Sequence, residues 1–256
     1  MFQPTMGTDA AAALATTQVL AHLVIALAAV ILLVYLYAYA EYVAVGAARK
    51  RIWYLAIAAG AAFLYGSSGV VALWTETRWP AVFSEGATLF FILFLALGFR
   101  AMYYSCGRGG ETGESQLPEW ADYLVILAFI VAWWGGFLYV HPWTDVVVSI
   151  GWLGASAWAL WYAVLVVRRH EGTSIAAMTR HLLPAAVAFT VTVLADLAVG
   201  SLTGLESVVT ATWIDGTVLV GAFLFTTAVA IRQQGGEVER MYDWTTWRQG
   251  GRRDDE

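Results

Sequence analysis

Seven long, nearly uninterrupted apolar runs dominate this chain: 15–45, 52–74, 81–104, 121–140, 146–167, 179–203 and 207–231. About 20 such residues in a helix cross the ~30 Å hydrocarbon core of a bilayer. Inside that layer every backbone N–H and C=O must be bonded within the protein, which leaves only helices and closed barrels. Barrel strands alternate over about ten residues, whereas these runs are continuous Ala, Leu and Val, so the expected fold is an all-α membrane protein. Composition agrees, because 60% of the 256 residues are hydrophobic and 13% are charged, against roughly 25% charged in a soluble domain. A soluble globular enzyme of this composition would expose large apolar patches. A disordered chain is excluded on the same ground. The 14 basic and 19 acidic residues, net −5, argue against a nucleic-acid partner. The single cysteine, Cys106, excludes a disulfide framework and a Cys-based zinc site. Thirteen tryptophans suit a protein with two lipid–water interfaces.

The breaks between runs set the topology. Ala48-Arg49-Lys50-Arg51 reads as a charged turn, Thr75 to Pro80 as the start of the third helix with a proline in its first turn, and 107–118 as a Gly-rich loop. His141 to Asp145 reads as an interfacial turn with a Thr or Asp cap, Arg168 to Thr173 as a charged turn, and Gly204 to Ser207 as a hairpin. With seven spans, every basic residue except Arg78 falls on one side. The positive-inside rule then places the N-terminus outside and the C-terminus in the cytoplasm of a multi-pass cell-membrane protein. The expected organisation is an extracellular segment 1–14, a seven-helix domain 15–231 and a cytoplasmic tail 232–256. No basic leader or cleavage motif precedes the first span, so it reads as a permanent helix. In the tail, Met241, Trp244 and Trp247 share a helical spacing that suits either the inner leaflet or a solvated tail.

Ionisable groups inside a membrane are costly and call for a reason. Glu41, Asp122 and His181 fall near cytoplasmic helix ends, where side chains reach headgroups or water. Glu85, Asp196 and Asp215 fall at about 7–13 Å below the outer surface at ~1.5 Å per residue. His22, Ser67 and Ser68 lie at a similar depth, with Arg78 just above. These seven residues form the candidate polar cavity or ligand site; the alternative is a set of separate helix–helix hydrogen bonds. The histidine spacing does not suit a haem or metal site. Tyr35, Tyr39 and Tyr42 share a face and read as an interfacial anchor.

One stretch carries a family pattern. In Trp213-Ile214-Asp215-Gly216-Thr217-Val218-Leu219-Val220-Gly221, an aspartate precedes, by four positions, a site followed by Val-Gly. With seven spans, about this length, short loops, Tyr54 and Ala61-Ala62-Phe63 in the second helix and Arg78 leading into the third, the chain resembles the microbial rhodopsins. In that family, the position of Leu219 holds the lysine that binds retinal. Here the only lysine is Lys50, in a cytoplasmic turn, so no covalent retinal Schiff base is expected. The helix-three acid–Trp pattern and the aromatic cage of helix six also differ, since Gly86 follows Glu85 and Phe189 is the sole aromatic of its span.

The resemblance therefore implies a lysine-less, rhodopsin-like sensor, scaffold or partner subunit, not an enzyme. Its pocket would be free to hold a carotenoid, retinoid or lipid without a covalent bond. Membrane lipids are the expected surroundings, with a membrane or cytoplasmic protein partner docking on 105–118 or the tail, and a homo-oligomer is open. The alternative function is an ion- or proton-coupled transporter using the intramembrane carboxylates. An intramembrane enzyme acting on lipids ranks last, because Glu41, Asp122 and His181 are dispersed.

Overall fold

The computed structural model describes residues 8–42, 47–75, 77, 79–104, 119–138, 142–171, 173–203 and 206–250. Among them the chain is wholly helical: α1 Thr8–Tyr42, α2 Ala47–Trp74, α3 Trp79–Tyr103, α4 Glu119–Leu138, α5 Pro142–Arg169, α6 Ser174–Thr203 and α7 Glu206–Gly250. Six of these contain stretches long and apolar enough to cross a membrane: Ala11–Tyr39, Ile52–Trp74, Val82–Tyr103, Ser149–Arg169, Ile175–Asp196 and Val208–Gln233. The seventh, α4, has a shorter apolar stretch, Trp120–Gly135. The described chain is thus a multi-pass membrane protein in architecture.

Helix ends follow local chemistry. Pro80 and Pro142 sit in the first turns of α3 and α5, where a missing N–H costs little. For α5 this moves the start into what the sequence suggested was a turn. Thr173 caps α6: its hydroxyl oxygen accepts the Ala176 N–H at 3.2 Å and its O–H donates to the His170 carbonyl at 2.7 Å. Arg168 and Arg169 close α5, where cations offset the dipole. The Ala48–Arg51 run is not a turn but the first turn of α2, because Ala, Arg and Lys are good helix formers. α1 already begins at Thr8, and α7 continues past Ile231 to Gly250, 45 residues or about 68 Å.

Neighbouring helices run up and down. Gly69, late in α2, abuts His22, early in α1. Gly86, early in α3, faces Trp133, late in α4, while Arg100 and Asp122 pair at the other end. Thr192 of α6 leans on Gly216 of α7. The helices close a ring in the order α1, α2, α3, α5, α6, α7, with α4 lying outside against α3 and α5. α3 is the most enclosed, with Phe91, Ile92, Leu93, Leu95, Ala96, Leu97 and Phe99 buried. The perimeter is apolar: Leu27, Val131, Ile150 and Trp161 are each more than 60% exposed. An outward belt of this kind suits lipid and not water.

Candidate functional site

Side chains of five helices line a small, partly open pocket in the half of the bundle where α1 begins. Its apolar wall comes from Ile25 of α1, Ala62 of α2, Phe91 of α3, Phe189 of α6, and Trp213 and Val220 of α7. Four hydroxyls interrupt that wall: Tyr65, Thr88, Thr192 and Thr217. Gly216 supplies close approach, since a Cβ there would overlap the Thr192 hydroxyl. Among the described residues no Asp, Glu, Lys, Arg or His lines the cavity.

The hydroxyls are held in place. Tyr65 Oη and Thr217 Oγ1 share a hydrogen bond of 2.9 Å between α2 and α7. Thr88 donates to the Glu85 carbonyl at 2.7 Å and accepts the Trp152 indole N–H at 3.1 Å. Thr192 donates to the Ala188 carbonyl at 2.8 Å. Trp152 packs at a tilt against the wall residue Trp213, with ring centroids 5.7 Å apart.

Of the residues expected to form a polar cavity, His22 comes nearest. Its Nδ1 bonds the Gln18 carbonyl at 2.8 Å and its ring lies 5.2 Å from that of Tyr65, so it backs the cavity wall without entering it. Ser67 and Ser68 donate to carbonyls of their own helix, at Phe63 and Leu64. Glu85 and Asp215 are exposed on outward faces, and Asp196 is half-buried. None of the three lines the cavity. Arg78, Cys106 and the 105–118 loop lie outside the described residues.

Helical phase explains the difference on α7. Trp213, Gly216, Thr217 and Val220 face inward, and Leu224, Ala228 and Ile231 continue that stripe. Asp215 and Leu219, four apart, share another face, and Leu219 is 50% exposed. The position that the family pattern assigns to the retinal lysine therefore looks toward lipid. A Leu219→Lys variant is expected to give no visible absorption band when retinal is added, measured on purified protein before and after borohydride; a stable pigment would overturn this placement of α7.

A second polar site was hidden in the sequence. Asp122 does not snorkel: it forms an ion pair with Arg100, the two side chains being 20% and 5% exposed. Tyr104 lies against the same guanidinium, 5.9 Å from its ring centroid, and contacts Tyr162. Arg169 stands 4.7 Å over Tyr103. His181 is exposed, and the side chains of Glu41 and Tyr42 lie outside the described residues. Tyr35 and Tyr39 pack partly buried against the core. At the other end of α4, the Trp133 N–H donates to the Val82 carbonyl at 3.1 Å, with its indole seated against Gly86. The ion pair and this indole hold the least enclosed helix of the bundle.

Among the described residues no cluster of His, Cys, Asp or Glu could hold a metal ion. No family model, curated protein or solved structure matches the chain.

Proposed function

We propose that this protein holds a small apolar ligand non-covalently between its helices and acts as a membrane sensor, scaffold or partner subunit. The observation that carries the reading is the interior cavity, apolar apart from four positioned hydroxyls. Ligand sites with apolar walls and few polar groups have this character.

The same proposal includes a seventh span, α4, and a rhodopsin-like order of helices, N-terminus outside and C-terminus in the cytoplasm. Support comes from the position of Arg100, Arg168, Arg169, Arg180 and Arg232, all at the end opposite the start of α1. A covalent retinal has no amine to use: Lys50 lies about 18 Å along α2 from Ala62. The carrier alternative would need interior acids, whereas Glu85 and Asp215 face outward.

The test is extraction. Protein purified in mild detergent is expected to release a small apolar molecule into organic solvent, identified by mass spectrometry. Ala62→Leu, which fills the cavity from a fully enclosed position, is expected to lose at least about 90% of it while remaining folded. Equal ligand content in the two proteins would sink the proposal.

A further inference from the structure

We propose that the end of the bundle where α3 and α5 finish binds the headgroup of an anionic membrane phospholipid, with Arg169 as the principal contact. The site is separate from the interior pocket. Depth comes first. The apolar stretches of α3 and α5 end at Tyr103 and Arg169, so these two residues stand where hydrocarbon gives way to headgroups. The Arg169 guanidinium lies over the Tyr103 ring, 4.7 Å from its centroid. Tyr103 is wedged between Tyr104 and Tyr162, with ring centroids 5.0 and 5.8 Å away. Tyr104 and Tyr162 in turn touch, 6.2 Å apart. The three rings hold one another, so the cation rests on a fixed surface. Stacking occupies the face of the guanidinium and leaves the N–H groups of its edge, which suit phosphate oxygens in pairs.

The charge is available. Arg169 is exposed, and among the described residues no carboxylate pairs with it. The acids nearby are already taken, Asp122 by Arg100 and Glu171 by Arg180 at 3.5 Å. Arg168, also exposed, adds a second cation in the last turn of α5. It caps an outward stripe of that helix formed by Trp161 and Val164, both exposed. Acyl chains can lie along this stripe while the headgroup reaches the two cations. A free phosphate ion would use the cations and leave the apolar track bare, so the combination fits a lipid. Between lipids, net charge decides. A zwitterionic headgroup brings its own ammonium to its phosphate, whereas an anionic one carries a charge that the arginines can neutralise. Basic sites between helix ends at headgroup level select anionic lipid for this reason.

The experiment titrates the full chain in detergent micelles with phosphatidylglycerol or phosphatidylcholine of the same acyl chains, and counts bound lipid by native mass spectrometry. Phosphatidylglycerol is expected to bind about tenfold more tightly. Arg169→Gln should bring it to within about twofold of phosphatidylcholine. Arg180→Gln removes an arginine at the same end that is already bonded to Glu171, and should change affinity by less than about twofold. Both side chains are exposed, so both variants should keep the circular dichroism spectrum and Tm of the parent. Tyr103→Leu should weaken phosphatidylglycerol binding several-fold and Tyr103→Phe should not, because the ring makes the seat. Arg169→Lys keeps the charge without the planar fork and should fall between parent and Arg169→Gln. Glycerol phosphate, which lacks the chains, should not displace the lipid; displacement at matched concentration would overturn the lipid assignment in favour of a free phosphate. Equal affinity for the two lipids, or equal losses in Arg169→Gln and Arg180→Gln, would overturn the site.

Discussion

Asp122→Ala is expected to destabilise the protein by about 3–5 kcal/mol, the cost of breaking a largely buried ion pair by removing one of its members. Arg100 is enclosed by α3, α4 and the Tyr104 ring, with its side chain 5% exposed. It cannot reach water without a shift of α4. That helix has few other ties to the bundle, chiefly Trp133 against Gly86. The loss should therefore be felt first as release of α4. The double variant Arg100→Met with Asp122→Leu should recover most of the stability, because it removes both charges and keeps apolar volume. The measurement is the unfolding midpoint in mixed micelles on titration with a denaturing detergent, followed by circular dichroism. Asp122→Ala within about 1 kcal/mol of the parent protein would show that the pair is no latch.

The same pair shows where sequence reading stops. Span length and apolar continuity are local properties, and they made all seven helices visible, although α1 begins earlier, at Thr8, and α7 runs on to Gly250. Whether Asp122 snorkels or pairs depends on a residue 22 positions earlier on another helix, and no periodicity reports that. The cavity shows the same limit. Depth along each helix could be counted, so the half of the bundle that holds the site was legible. Rotation about each axis was not, because these helices are apolar all round and lack a polar face to fix their phase. Acids at the right depth, Glu85 and Asp215, turned outward. Thr88, Thr192 and Thr217 turned inward, but a threonine in a membrane helix ordinarily bonds its own backbone. Their signal was faint: Thr217 falls on the Trp213–Val220 stripe, four after one residue and three before the other. The family pattern around Asp215 pointed to the outer face because it was read from spacing alone.

Two neighbouring glycines of α2 differ in what stands against them. A Cβ on Gly66 would stand 2.5 Å from the His22 carbonyl oxygen and 2.9 Å from the Ala26 nitrogen, both backbone atoms of α1. Backbone cannot rotate away, so α1 and α2 must separate. α1 has no room to retreat, since Gly221 of α7 already packs against the Ile25 backbone. Gly66→Ala should therefore cost about 3 kcal/mol of overpacking, reduced by up to about 1 kcal/mol of helix preference. At Gly69 the obstacle is the His22 ring, a side chain that can turn. Turning it gives up the Gln18 bond and the contact with Tyr65, about 1 kcal/mol that the helix preference of alanine offsets. Gly60, with open space around it, should accept alanine with a small gain. The expected order of unfolding midpoints is Gly60→Ala above Gly69→Ala above Gly66→Ala. Gly66→Ala as stable as Gly60→Ala would show that α1 and α2 do not meet through this glycine, and the cavity wall at Tyr65 would have to be redrawn.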